Sequence, residues 1–362
     1  PLRAPFPHPG PGSFRGQDRG ALTELREIGE FGFIRRIQDG CLVRPEGVRL
    51  AIGDDAAAFV VPEGEVTLVT TDLLVERVHF LRDAAPPVDL GYKALAVNLS
   101  DIAAMGGTAR EAFVSIAVPG DCSLEDVEAI YRGMGELARE FGVNILGGDT
   151  TASRADLILN VAVVGSVREA EMLRRGGARP GDRICVTGGV GESRAGLHLI
   201  LNGLAADSEA LRTLRRAHCR PRPHLAEGRF LARSGAVHAA IDVSDGLSSD
   251  LAHLARASGL GVRIDADGLP VSAALSRFCR RFGFDPAAYA LAGGEDYVLA
   301  CAVDPEQAPD LAGAFAARFG RPLYPIGEMT PGGRLEMIRD GALIPFPPAG
   351  WEHFPTSPEK RG

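Results

Sequence analysis

Residues 144–153 read NILGGDTTAS: an apolar run, two glycines, an aspartate and two threonines. Asp and Thr cap helices and Gly makes turns, so one such ending is ordinary. The chain repeats it. LAIGDDAAA holds Asp54 and Asp55, LVTTDLLVE holds Thr70, Thr71 and Asp72, AAIDVSDGL holds Asp242 and Asp245, and LAGGEDYVL holds Glu295 and Asp296. Each reads as an acidic group at the end of, or interrupting, an apolar strand. In α/β sheets ligands collect beyond the carboxyl ends of strands, so residues distant in sequence can meet in one crevice. Asp101 in NLSDIAAMGG joins the set, three residues after Asn98 on one helical face.

The plain alternative makes each aspartate a cap or a turn residue, and five recurrences weigh against it. Converging carboxylates ~4 Å apart repel by about 4 kcal/mol at an effective dielectric of 20. Such a cluster calls for divalent cations. Asp and Thr oxygens without a Cys or His set favour a hard ion, and magnesium on phosphates is its commonest use.

Around these motifs the apolar pattern alternates between helical and strand periods. A helix runs through EFGFIRRI, strands through VRLAIG and VTLVTTD, and a helix over 88–105. The strand AREAFVSIAVP leads to a helix that opens at Ser123 and Asp126 like a capping box, and GVNILGG and DLILNVAVVGSV close the first half. The second half alternates again through PHLAEGRFLARSG, AAIDVS, SSDLAHLARASG and GVRIDA. The expected fold class is α/β (mixed α+β) in two domains, 21–166 and 167–362, after a Pro- and Gly-rich disordered tail over 1–20.

Composition removes several functions. The formal net charge is −8, with no general basic face for nucleic acid. No apolar run reaches the length of a membrane span and no hydrophobic signal core is expected, which points to a cytoplasmic protein with no membrane partner. The six cysteines form no C-x-x-C pair and read as reduced structural thiols. Of the 39 Lys and Arg residues only Lys93 and Lys360 are lysines, and Lys93 fits neither a Walker A loop nor a protein-kinase strand. The glycine stretch TGGVGESRAG (187–196) lacks a lysine and reads as a turn before the helix at Ser193. His79, in ERVHF, is open to ligation, catalysis or packing.

Together these motifs resemble the thiamine-monophosphate kinase family, in the superfamily shared with aminoimidazole ribonucleotide synthetase and selenophosphate synthetase. The resemblance runs from GEFGFI at Gly29 to GWEHF at Gly350, through IGDDAA, TTDLLVERVHF, YKALAVNLSDIAAMGG, LGGDTT, LRRGGARPGD, IDVSDGLSSDL and GGEDY. It implies a chain of the aminoimidazole ribonucleotide synthetase-like type whose N-terminal domains pair in a homodimer. It also implies ATP-dependent phosphorylation of thiamine monophosphate to thiamine diphosphate with several magnesium ions. By motif, Asp55, Thr70, Thr71, Asp72, Asp101, Asp149, Asp242 and Asp245 look like metal ligands. Tyr131, Gly148, Asp149, Arg175 and Ser244 look like ATP contacts, and His79, Glu295 and Trp351 like contacts to thiamine monophosphate. Val298 stands where the family usually has glutamate, and Glu192 where it usually has aspartate. The acceptor is already an ionised phosphate, so neither general base nor nucleophile is expected. The alternatives are another ATP-using enzyme of the superfamily, of purine-ribotide or selenophosphate type, or an inactive ATP-binding protein.

Overall fold

The computed structural model describes residues 25–53 and 56–351. The tail expected over 1–20 and the pair Asp54 and Asp55 lie outside the described residues.

The first half comprises α1 (Leu25–Ile37), β1 (Val48–Leu50), β2 (Ala58–Phe59), β3 (Glu65–Val75), α2 (Pro87–Ala104), β4 (Thr108–Pro119), α3 (Leu124–Phe141), β5 (Asn144–Ser153) and β6 (Ile158–Arg168). Its main sheet has the order β3-β6-β4-β5. Because β6 is antiparallel to β3 and β4, and β5 is parallel to β4, strands β3, β4 and β5 point the same way. Alternation along β3 turns Leu68 and Leu74 to the core, while Val69 and Leu73 stay 70% and 51% exposed. The sheet thus has one face under helices and one open face.

Helix α2 begins with Pro87 at a position where the ring costs no hydrogen bond, and is buried along most of its length. It lies against α3, which Ser123 caps by accepting from the Asp126 N–H at 3.1 Å. The two backbones meet at glycines: a Cβ on Gly91 would sit 1.8 Å from the Ile130 carbonyl oxygen, and one on Gly133 1.8 Å from that of Val88.

The second half comprises β7 (Arg183–Val186), α4 (Glu192–Leu201), α5 (Glu209–Cys219), α6 (Leu225–Ser234), β8 (Val237–Asp242), α7 (Leu247–Ser258), β9 (Gly261–Asp265), α8 (Ala273–Phe282), α9 (Pro286–Ala292), β10 (Leu299–Val303), α10 (Ala308–Phe319), β11 (Tyr324–Thr330), β12 (Leu335–Arg339) and β13 (Ala342–Pro345). Seven strands form a sheet in the order β13-β12-β9-β11-β7-β10-β8, antiparallel except for β12 on β9. The two halves join along α2. Gly228 of α6 is held so close that a Cβ would lie 2.1 Å from the Ala103 carbonyl oxygen. Arg220 stacks 4.2 Å over the Tyr92 ring and pairs with Asp89 at 3.0 Å. All six cysteines are free and buried, as expected of structural thiols.

Two expectations change. NILGGDTTAS does not end a strand; it is the whole of β5, with Asp149 inside it, just as Asp72 lies inside β3. The register shifts opposite Ala112 and Phe113, leaving Leu146 as the extra residue, and two residues on Gly148 takes φ +150° with its Cβ position 1.7 Å from the Val114 carbonyl oxygen. The bulge lets the strand continue instead of turning. Glu295 and Asp296 follow helix α9 and precede β10, so they end no strand, whereas Asp242 does close β8.

Substituting Gly133→Ala is expected to cost about 3 kcal/mol or more, because backbone rather than a side-chain tip meets the new methyl. The melting temperature should fall by roughly 6 to 12 °C. An unchanged melting curve would show that α2 and α3 do not pack as described.

Candidate active site

The crevice between the halves is floored by α2. Asp101 from α2, Asp72 from the inward row of β3 and Asp242 from the end of β8 converge there. The Thr70 hydroxyl donates to Asp101 Oδ2. The Ser100 hydroxyl donates to Asp242 Oδ2 at 2.7 Å, across the domain boundary. Burial and then the charge of Asp101 push the Asp72 carboxyl up to about 6. Burial also raises Asp101, against the Thr70 hydroxyl and the Arg175 charge. Asp242 rises for the same first reason, with Asp101 next. Arg175, itself exposed, is the cation whose charge reaches both Asp101 and Asp242.

Beside this trio lies the loop 293–297. Its backbone hangs on the segment that follows β8, with Glu295 N donating to the Ser244 carbonyl at 2.7 Å and Tyr297 N to that of Val243 at 2.9 Å. Asp296 accepts from Gly191 N at 2.5 Å and Ser193 N at 3.1 Å. The glycine turn before α4 therefore spends its N–H groups on the chain's own carboxylate, which disposes of a phosphate-loop reading. Burial first, then the charges of Glu295, Asp72, Asp242 and Asp101, raise the Tyr297 phenol, so the loop adjoins the trio. Burial alone would raise Glu295, but the charges of Lys93 and then His218 outweigh it and hold the carboxyl low; His79 adds to them. The His79 Nδ1 accepts from Val75 N at 3.0 Å, which fixes the ring at the end of β3. Trp351 N donates to the Asp245 carbonyl at 2.9 Å, and Gly350 N to Ser249 Oγ at 2.8 Å. The Trp351 backbone is thus held beside Asp245, and the residue stays 49% exposed.

Strand alternation divides the remaining candidates. Pairing puts Asp72 in a row with Val161, Val114 and Gly148, and puts Leu73, Asn160, Ser115 and Asp149 in the next row. Successive rows face opposite sides of the sheet. Asp149, exposed, therefore lies on the open face with Thr71, whose hydroxyl accepts from Asn160 Nδ2 at 2.9 Å. Three strand spacings, roughly 14 Å, separate Asp149 from Asp72. One crevice for all the carboxylates is not what the chain builds. Tyr131 stands elsewhere again, edge-on to Phe33 at 5.7 Å, in a cavity of about 550 Å³ lined also by Arg35, Arg36, Cys41, Arg132 and Ile145.

Among the described residues no three His, Cys, Asp or Glu side chains form a group able to hold one ion. The all-oxygen trio with Thr70 nonetheless suits magnesium, which takes one or two carboxylates and completes its shell with water and phosphate. Val298 is 5% exposed within the second-half core and has no polar role. Lys93 and His218 were not singled out by sequence as site residues, because nothing near them in the chain signals their partner.

The family model described as AIR synthase related protein, N-terminal domain, matches residues 53–167, and its C-terminal counterpart matches 179–340. Thiamine-monophosphate kinase of Salmonella typhimurium is 38% identical over 330 residues, covering 91% of this chain and 99% of its own length. The crystal structure of thiamine-monophosphate kinase from Stenotrophomonas maltophilia superposes with a TM-score of 0.77 at 36% identity, over 87% of this chain and 97% of that one. AaThiL complexed with AMPPCP and TMP gives a TM-score of 0.73 at 32% identity, over 92% and 100% of the two chains. The chain belongs to the thiamine-monophosphate kinase family, a family of phosphotransferases.

A carboxyl raised from 3.8 to about 6 contributes stability that is present below the lower value and lost as pH rises through the higher one. In chelator at pH 8, Asp72→Asn should therefore melt roughly 2 to 8 °C above the parent. The gain should shrink below pH 6 and vanish near pH 4. A variant less stable at pH 8 would mean that Asp72 is already neutralised within the chain.

Proposed function

We propose that this member of the thiamine-monophosphate kinase family phosphorylates thiamine monophosphate to thiamine diphosphate with ATP, by direct in-line transfer assisted by several magnesium ions. The carrying observation is the trio Asp72, Asp101 and Asp242, the first two partly and the third fully buried and mutually repelling, with the Arg175 charge as its counterweight. The relative solved with AMPPCP, a non-hydrolysable form of ATP, and TMP supports both substrates.

In this reading Thr70, Asp72, Asp101 and Asp242 hold ions from the inner face, Thr71 and Asp149 from the open face, and Asp55 and Asp245 add ligands by motif. Those residues would hold magnesium, which would supply positive charge to offset the two phosphates. Arg175 brings a fixed positive charge to the same crevice, and Ser244 lines its second-half wall. Tyr131 offers a ring to the adenine inside its arginine-rich cavity. Ile145, which lines that cavity, and Asp149 are four residues apart on β5, roughly 13 Å, so Gly148 and Asp149 are spaced to meet the phosphates. His79, Glu295 and Trp351 receive thiamine monophosphate, and the half-exposed indole offers a π face to the thiazolium. No side chain needs to remove a proton from an acceptor that is already an anion.

The open face of the first sheet, with Val69 and Leu73 exposed, is proposed as the homodimer contact between domains spanning 21–166, with 167–362 completing the substrate site. A single-chain mass by light scattering at working concentration would remove that part. A cytoplasmic location fits a biosynthetic enzyme of this kind.

Phosphorus NMR of thiamine monophosphate with ATP should show thiamine diphosphate only when magnesium is present. Asp101→Asn and Asp149→Asn should each lower turnover about a hundredfold or more while leaving the fold intact. Wild-type rates in both variants at limiting magnesium would sink the assignment, and label passing through a phosphorylated protein would sink direct transfer.

A further inference from the structure

The chain writes almost every basic position as arginine, yet keeps lysine at position 93. Lys93 is 5% exposed on α2, with Nζ 2.7 Å from Glu295 Oε1 across the domain boundary. His218 of α5 meets the other oxygen, Nδ1 to Oε2 at 3.2 Å, and its Nε2 lies 3.5 Å from Lys93 Nζ. Ser193 Oγ lies 3.0 Å from the same Nδ1. Burial, then the Lys93 charge, drives the His218 imidazole down to about 4, so at neutral pH Lys93 is the cation in contact with Glu295. The loop holding Glu295 is in an uncommon conformation, with Glu295 at φ +64° and Tyr297 at φ +52°. Non-glycine residues keep such angles only where surrounding contacts enforce them, and such positions cluster at functional sites.

We propose that Lys93 is the positioning residue for Glu295: its ammonium fixes the carboxylate so that one lone pair on each oxygen stays turned to the crevice for the donor hydrogens of the substrate's aminopyrimidine. This rests on the functional reading above, in which Glu295 meets thiamine monophosphate. A carboxylate oxygen has two acceptor directions; Lys93 takes one on Oε1, and the His218 imidazole stands 3.2 Å from Oε2. A lysine serves here where an arginine would not. The guanidinium fork takes both oxygens of a carboxylate at once, which would displace His218 and turn the free lone pairs away from the ligand. Lys93 touches no reacting atom and acts through Glu295.

The test uses the full-length protein, with calorimetric titration of thiamine monophosphate in the absence of ATP alongside steady-state kinetics. In Lys93→Met and Lys93→Arg alike, Kd and KM for thiamine monophosphate should rise tenfold or more while KM for ATP stays within twofold. Lys93→Met with Glu295→Gln should bind no more weakly than Glu295→Gln alone, since one interaction is lost in each case. Wild-type affinity in Lys93→Arg, equal losses for both substrates, or additive losses in the double variant would overturn the proposal and leave Lys93 a structural latch. Should Lys93→Met fail to fold, Lys93→Arg decides; should both fail, the pair is structural and the proposal falls. A parent protein that makes no thiamine diphosphate overturns the functional reading itself, whereas an active parent with an indifferent Lys93→Arg overturns this inference alone.

Discussion

Three carboxylates, two partly and one fully buried between two domains, set the terms for everything around them. Asp72, Asp101 and Asp242 come from a strand, a helix and a strand end of different halves, and each is raised first by burial. Like charges in such a place persist only when rigid surroundings enforce them. Helix α2 supplies that rigidity: its backbone touches α3 through Gly91 and Gly133 and α6 through Gly228. It also donates Ser100 to Asp242 and Lys93 to Glu295, so one helix orders the groups of both halves. The cost in stability is what a phosphotransferase needs, because the negative charge left uncompensated by the chain is available to cations that can in turn meet phosphate.

Much of this is legible in the sequence. An aspartate within an apolar run is a local signal, beside threonine or glycine at Asp72 and Asp149 and between Ile241 and Val243 at Asp242. What a strand's own residues do not encode is which side a carboxylate takes, since that depends on register with a partner. The bulge at Leu146 opposite β4 carries NILGGDTTAS on as strand and leaves Asp149 on the open face, away from Asp72. The sequence marks Lys93 as a rare lysine but not what it does, for a related reason: Glu295, its partner, lies in the other half of the chain. Helix α5, which brings His218, carries no motif at all and is defined by its packing against α4 and α8.

The division of the acidic residues between two faces shapes the account of the reaction. The inner trio can serve the site between the domains of one chain. Thr71 and Asp149 look outward from the face that exposes Val69 and Leu73. In the proposed function nucleotide and acceptor come from different sides of the first sheet's end, with Arg175, Ser244 and Trp351 on the second-half wall. In that arrangement alignment of two anions, rather than proton transfer, is the task of the protein.

The central claim is that the carboxylates between the domains are cation ligands. Manganese, which is paramagnetic and accepts the same oxygen donors, can be titrated by electron paramagnetic resonance in the presence of AMPPCP and thiamine monophosphate. The account predicts more than one tightly held manganese per chain beyond what the nucleotide holds by itself, with at least one lost in Asp101→Asn. Manganese binding no greater than that of nucleotide alone, or equal in the parent and Asp101→Asn, would contradict it.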